Sequence, residues 1–203
     1  MSNDDISKYF DATEFRDTRE DLVFAVGLVS EPRIAIDCGC GAGADIDYLI
    51  RNGFTVHGFD IEDESISRCR VRFNANDNVV LSRSSFVDFE YPQASLVVAD
   101  ASLYFCPISE FKKVWSNINR CLLPGGVFCG SFLGKDDTMA LPGNNSTVFW
   151  PAITAFDEPE VLVLFDNYEL LRFETHKSSG KTSLGTLHDW HIFQVVARKP
   201  RTS

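Results

Sequence analysis

Three closely spaced glycines lie between an apolar segment and an amphipathic one. Gly39, Gly41 and Gly43 follow the short β-branched run 33–37 and precede a helical pattern over 44–51. Glycines in such a loop allow a tight turn and the close approach of a ligand, and the following helix offers free N–H groups. The loop therefore predicts a nucleotide-type site. A tight strand-to-helix turn without a ligand is the alternative.

An acidic residue ends the next predicted strand. The run 54–59 is followed by Asp60, at the position where a carboxylate accepts hydrogen bonds from ribose hydroxyls; the alternative is a helix cap. A dinucleotide and S-adenosylmethionine (SAM) both satisfy this pattern. The dinucleotide motif places its third glycine where Ala44 stands, and tolerates alanine there. Asp37, directly before the loop, favours SAM.

Short apolar runs alternate with amphipathic stretches along the chain, which is typical of βαβ units and a parallel sheet. The patterns predict strands at 33–37, 54–59, 79–82, 95–99 and 127–133 and helices at 18–29, 44–51, 64–73, 111–122 and 158–165. Two further strands, 170–176 and 191–198, flank a polar stretch with no helix between them. They predict an antiparallel hairpin at the sheet edge.

Composition narrows the class of protein. A chain of 203 residues suits one domain, and its net charge of -10 argues against a nucleic-acid partner. No apolar run approaches the roughly 18 residues of a membrane span, and the polar N-terminal residues do not resemble a signal peptide. We therefore expect a cytoplasmic protein without a membrane partner, whose six scattered cysteines are buried thiols.

Five segments in order resemble the motifs of class I SAM-dependent methyltransferases. They are 35–43, 56–61, 86–89, 96–105 and 122–128. The tail 189–200 resembles the final strand of the TehB-like group, named for tellurite resistance. The resemblance implies an α/β, Rossmann-like fold: a mostly parallel seven-stranded sheet with helices on both faces and a C-terminal antiparallel hairpin. It implies one domain over 1–203, with an N-terminal arm and helix (1–32), a SAM-binding core (33–133) and a substrate-side loop and hairpin (134–203).

The same resemblance implies SAM as cofactor and methyl transfer to a small-molecule acceptor by in-line displacement. The implied cofactor-binding residues are Asp37, Gly39, Cys40, Gly41, Ala42, Gly43, Asp60, Ile61, Asp88, Phe89, Ala99, Asp100 and, in the arm, Arg19. In this assignment Asp60 binds the ribose. Asp88 and the Phe89 N–H bind the adenine edge, and Arg19 meets the SAM carboxylate.

The sequence contains no evident catalytic residue. None is required if the nucleophile arrives ionised, because such a nucleophile needs no general base. Tyr104, His188 and His191 are candidates near the acceptor, and Trp150 is a candidate roof for the pocket. The two histidines lie three residues apart on a predicted strand and face opposite ways, so we expect no shared metal.

Two other functions remain open at this point. A non-catalytic SAM-binding or regulatory protein would carry the same motifs. A NAD(P)-dependent oxidoreductase would use the same scaffold, but the chain lacks a Tyr-x-x-x-Lys pair. The acidic charge and the absence of a basic or aromatic-interleaved stripe favour a small acceptor over nucleic acid. The pattern does not specify an oligomeric state.

Overall fold

A computed structural model describes residues 3–141, 153–182 and 185–201. The α-helices are α1 (Asn3–Thr13), α2 (Glu20–Leu28), α3 (Ala44–Arg51), α4 (Asp63–Arg72), α5 (Ile108–Cys121) and α6 (Glu158–Leu164). The strands are β1 (Ile34–Cys38), β2 (Thr55–Asp60), β3 (Val79–Arg83), β4 (Ala94–Ala99), β5 (Leu122–Gly134), β6 (Ala155–Phe156), β7 (Glu169–Lys181) and β8 (Leu187–Arg198).

The strands form one mixed sheet in the order β3-β2-β1-β4-β5-β8-β7, with the two-residue β6 beside the end of β5. Strands β1 to β6 pair in parallel, whereas β8 is antiparallel to both β5 and β7. The parallel order changes direction between β1 and β4. In open α/β sheets, ligands bind outside the carboxyl ends of the strands at such a switch point.

Each face of the sheet packs against its own hydrophobic cluster. Successive residues of a strand point to opposite faces, so Ala35 joins the cluster beneath α2, α3 and α4, while Ile36 joins the cluster beneath α5 and α6. Both side chains are fully buried. The near-continuous apolar runs in β1 and β4 follow from this coverage of both faces.

The predicted fold is confirmed, including the C-terminal antiparallel hairpin. Three elements differ from the prediction. The two-residue β6 adds an eighth strand to the seven that were predicted. The arm before Arg16 forms the helix α1, and the hairpin strands continue through the polar stretch, where Lys177 pairs with His191 and Lys181 with Leu187. The hydrogen bonds between two strands do not require apolar side chains. A prediction from hydrophobic alternation therefore underestimates the length of a hairpin whose β7 strand is mostly exposed.

None of the helices in the described ranges is long and apolar enough to cross a membrane. All six cysteines are free and buried, as expected from their scatter along the sequence.

Candidate cofactor-binding and active site

The glycine loop follows β1 and lies against the ends of β2 and β4. Gly39, Gly41 and Gly43 have φ angles of +73°, +51° and +83°, which L side chains rarely adopt. A Cβ on Gly39 would lie 2.6 Å from the Cβ of Ser102. The Ser102 hydroxyl donates to the Cys38 carbonyl at 2.6 Å, so the segment after β4 holds the loop in place.

Asp60, the last residue of β2, faces this loop. Its Oδ2 accepts the Gly41 N–H at 2.9 Å and its Oδ1 accepts the Glu62 N–H at 3.0 Å. The carboxylate is buried, and burial raises the pKa of Asp60 above its ordinary value despite these bonds. Each carboxylate oxygen has further lone-pair sites. Ligand hydroxyl groups that donate to them would favour the charged form.

A second buried carboxylate lies just before the loop. Within the described part of the chain, Asp37 Oδ2 is buried without a hydrogen-bond partner. Burial, and then the charge of Asp45, raise the pKa of Asp37 well above its usual range. Asp45 itself forms an ion pair with Arg16 at 2.6 Å. Buried acceptors are normally paired, so an unpaired one beside a glycine loop suits a ligand that brings hydrogen-bond donors, as the SAM ammonium group does.

Arg19 and Asp100 form an ion pair at the end of β4, which is the strand beside β1. Arg19 directly precedes α2 and Asp100 directly follows Ala99, the last residue of β4. Burial lowers the pKa of Arg19. Both residues line a small cavity that also contains Asp45 and Gln194. This cavity places Arg19 beside the end of β4, at the same edge of the sheet as Asp60.

The segment after β3 holds Asp88 and Phe89, which are predicted to bind the adenine edge. The Phe89 N–H donates to the Ser85 carbonyl at 3.1 Å, and the Phe89 ring stacks on Phe59 with 4.1 Å between centroids. Both the N–H group and the ring of Phe89 thus have partners within the protein. Asp88 is exposed and accepts from the Ser85 hydroxyl at 2.6 Å. Phe86 adjoins the glycine loop instead, 3.9 Å from the Cβ position of Gly39.

Other backbone groups of the glycine loop form hydrogen bonds within the protein. The Gly39 and Cys40 N–H groups both donate to the Phe59 carbonyl at 2.9 Å, and the Gly43 N–H donates to the Cys40 carbonyl. The Ala42 carbonyl accepts from Arg72 at 3.2 Å, and the half-exposed Ile61 follows Asp60. Ala42 thus lies within the glycine loop, and Ile61 lies directly after the carboxylate that faces it.

Tyr104 lies in a short 3₁₀ turn after β4 and is buried. Its carbonyl accepts the Thr154 N–H at 2.8 Å. Burial raises the pKa of the Tyr104 hydroxyl, with smaller electrostatic contributions from Tyr9, Arg19 and Asp137. The Tyr104 backbone is therefore joined to the residue that precedes β6, beside the end of β5.

The two candidate histidines have different surroundings. His188 Nε2 lies 2.9 Å from Asp137 Oδ1, and both side chains are buried. The His191 backbone N–H donates to Asp137 Oδ2 at 2.9 Å, while His191 Nδ1 accepts the Asp136 N–H at 3.2 Å. His191 thus fixes the loop after β5 to the hairpin. Across the described ranges, no three His, Cys, Asp or Glu residues lie close enough to hold a metal ion.

Sequence reasoning missed two parts of the site. Asp137 gave no signal, because its partner His188 is 51 positions away. Helix α1, expected only as an arm, covers the glycine loop: Phe10 is 3% exposed and lies 3.8 Å from the Cβ position of Gly41. Arg68 in α4 pairs with Asp11 at 2.7 Å and holds α1 in place. Trp150 lies outside the described residues.

Comparison with known proteins agrees with this geometry. Residues 35–126 match the family model of the methyltransferase domain. The chain is 26% identical over 170 residues to the uncharacterized methyltransferase sll0829 of Synechocystis, spanning 84% of this chain and 71% of that protein.

Two solved structures share the fold. TehB from Haemophilus influenzae superposes with a TM-score of 0.75 at 18% identity, over 96% of this chain and 67% of TehB. The Burkholderia thailandensis 1,6-didemethyltoxoflavin-N1-methyltransferase, solved with its substrate and S-adenosylhomocysteine, gives a TM-score of 0.69 at 17% identity, over 97% and 83% of the two chains. The chain is thus similar to SAM-dependent methyltransferases in its glycine loop, in the acidic residue at the end of β2 and in a fold like that of TehB.

Proposed function

We propose that this methyltransferase acts on a small-molecule acceptor. The observation that carries the proposal is the cover over the site: α1 packs on the glycine loop through Phe10 and is tied to α4 by Arg68. A covered cleft of this kind admits a compact acceptor more readily than a polymer. The net charge of -10 also opposes the approach of a polyphosphate. The Burkholderia protein, which shares the fold, is a methyltransferase solved with 1,6-didemethyltoxoflavin bound, and this supports the same interpretation.

We assign different parts of the cofactor to different residues of the cleft. We assign the ribose to Asp60, the approach of the ligand to the backbone of the loop 39–43, and the amino-acid end of SAM to Asp37, Arg19 and Asp100. We assign the adenine to the segment after β3. In this segment Phe86 adjoins the glycine loop and Asp88 is exposed. Ile61, half-exposed after Asp60, is assigned an apolar wall beside these polar groups, and Ala99, fully buried at the end of β4, is assigned a place behind Asp100.

The bound cofactor supplies an electrophilic methyl group on its sulfonium. The task left to the chain is to hold the acceptor in line with that methyl group and to exclude bulk water. Tyr104, buried in the short turn after β4, is the side chain that we place beside the acceptor.

The test is methyl transfer from labelled SAM. Small amines, phenols, thiols, carboxylates and metalloid oxyanions are screened beside tRNA, DNA and cell protein, and SAM binding is measured separately by calorimetry. We expect label in one class of small acceptor. Label confined to a macromolecular fraction would refute the small-molecule assignment. Tight SAM binding without transfer to any acceptor would point to a regulatory SAM-binding protein.

A further inference from the structure

The His188 imidazole is buried near the start of β8. Throughout the described residues, His188 Nδ1 is buried and has no hydrogen-bond partner, while the side chain is only 4% exposed. Buried polar atoms in folded proteins are nearly always paired. An unpaired nitrogen at this depth therefore requires an explanation.

Asp137 fixes the state of that imidazole. The Asp137 carboxylate accepts from the Met139 and His191 backbone N–H groups, both at 2.9 Å, and is fully buried. A carboxylate only accepts hydrogen bonds, so the proton of His188 resides on Nε2, 2.9 Å from Asp137 Oδ1. The lone pair of Nδ1 is consequently free to accept a proton.

The pair lies at the edge of the sheet where the cofactor cleft lies. Strand β8 is antiparallel to β5, with Leu133 opposite Ile192, so the beginning of β8 lies beside the carboxyl end of β5. Side chains at alternate positions share a face. His188 is therefore on the same face of β8 as Gln194, which lines the cavity of Arg19 and Asp100.

Tyr104 is connected to the end of β5, close in sequence to Asp137. The Tyr104 carbonyl accepts the Thr154 N–H at 2.8 Å, and the next residue, Ala155, pairs with Leu133 near the end of β5. The acceptor position that we assign beside Tyr104 therefore lies at the same edge of the sheet as the Asp137–His188 pair.

We propose that His188 is the general base of the reaction and that Asp137 is the residue that positions it. The proposal rests on the proposed function and narrows it. A built-in base is useful only for an acceptor that arrives protonated, so the substrate class is a neutral N–H or O–H nucleophile rather than a thiolate or a metalloid oxyanion.

The step balances without any further reactant. The lone pair of the acceptor nitrogen or oxygen forms a bond to the methyl carbon as the methyl–sulfur bond breaks, and that electron pair remains on sulfur. The acceptor proton passes to Nδ1 of His188. The resulting imidazolium is stabilised by the Asp137 carboxylate until its proton leaves to solvent.

The test distinguishes the loss of proton transfer from a disruption of the structure. His188→Gln removes the base but keeps an amide N–H that can donate to Asp137. His176→Gln is the matched control, because His176 is exposed on β7 of the same hairpin. For N–H and O–H acceptors found in the labelling screen, we expect His188→Gln to lower kcat by 10²- to 10⁴-fold, the usual contribution of a general base. SAM affinity and the activity of His176→Gln should stay within twofold of the wild type.

Acceptor chemistry gives a second, internal control. Thiophenol, which is ionised at pH 8, should lose less than threefold in rate with His188→Gln. Equal losses for thiophenol and for a neutral acceptor would show that His188 only supports the fold, and would overturn the proposal.

The tautomer is measured independently of activity. Nitrogen-15 NMR of the histidine rings should show His188 protonated at Nε2, and Asp137→Asn should lower kcat at least tenfold and disturb that tautomer. A His188 ring protonated at Nδ1 would overturn the proposal. If label goes only to a macromolecular fraction, the small-molecule assignment fails while His188→Gln can still be assayed on that fraction. A wild-type protein that methylates nothing would overturn both.

Discussion

Replacing Gly39 by alanine tests whether the glycine loop is held by the segment after β4. Two costs act at this position. The φ of +73° strains any L side chain by about 1–2 kcal/mol. The added Cβ would also lie 2.6 Å from the Ser102 Cβ, and overpacking of this kind costs about 1–3 kcal/mol. Gly39→Ala should therefore lower the free energy of unfolding by about 2–5 kcal/mol.

A double-mutant cycle separates the two costs. Ser102→Gly alone loses the hydrogen bond to Cys38, worth about 1 kcal/mol, but it also removes the obstructing Cβ. The double variant should then be more stable than additivity predicts, by about 1–3 kcal/mol, because only the φ strain remains.

Urea unfolding followed by tryptophan fluorescence measures all four proteins. Gly27→Ala is the control: Gly27 lies in α2 with nothing within 4 Å of its Cβ position, and it should gain about 0.5–1 kcal/mol. Additive effects of the two substitutions, within about 0.5 kcal/mol, would refute the contact between the loop and Ser102.

Three further outcomes follow from the site. Asp60→Ala should weaken SAM binding by about 1.5–3 kcal/mol, measured by calorimetry, and unchanged affinity would remove Asp60 from the ribose site. Burial raises the pKa of Asp60, so ionisation of Asp60 should lower the free energy of unfolding as pH rises from about 4 through the folded-state pKa, whereas SAM affinity should increase over the same range. Asp60→Asn should flatten the pH dependence of both quantities, and an unaltered pH dependence would show that Asp60 is not the group responsible. Arg68→Gln removes the ion pair with Asp11 and should speed the release of S-adenosylhomocysteine in stopped-flow measurements, with Arg70→Gln on the same helix as control; equal rates would show that Arg68 does not hold α1 closed.

The parallel half of the fold was predictable because its signals are local. The boundaries of α3 match the sequence prediction, since a glycine loop precedes that helix and Asn52-Gly53 ends it. Asp60 is at the end of β2 as expected. In both cases the residues that determine the structure are neighbours in the chain.

The sequence was less informative where partners are distant along the chain. The segment 86–89 gave no indication that the Phe89 ring packs on Phe59, 30 positions earlier. The extension of the hairpin past His176 is likewise set by pairing with β8 rather than by side-chain hydrophobicity. Tertiary contacts of this kind override local patterns.

Helix α1 couples the cofactor cleft to the N-terminal residues. The Arg72 guanidinium donates to the Glu14 carbonyl at 2.7 Å and to the Ala42 carbonyl at 3.2 Å, so one side chain joins the end of α1 to the glycine loop. Phe10 covers Gly41 from the same side. We therefore expect a ligand seated on the loop to be released past α1 only when these contacts break. Since the bonds of Arg72 are to backbone carbonyls, no side-chain substitution at residues 14 or 42 removes the acceptors. The opening of α1 then becomes a candidate for the slow step of product release, distinct from the chemistry at the acceptor.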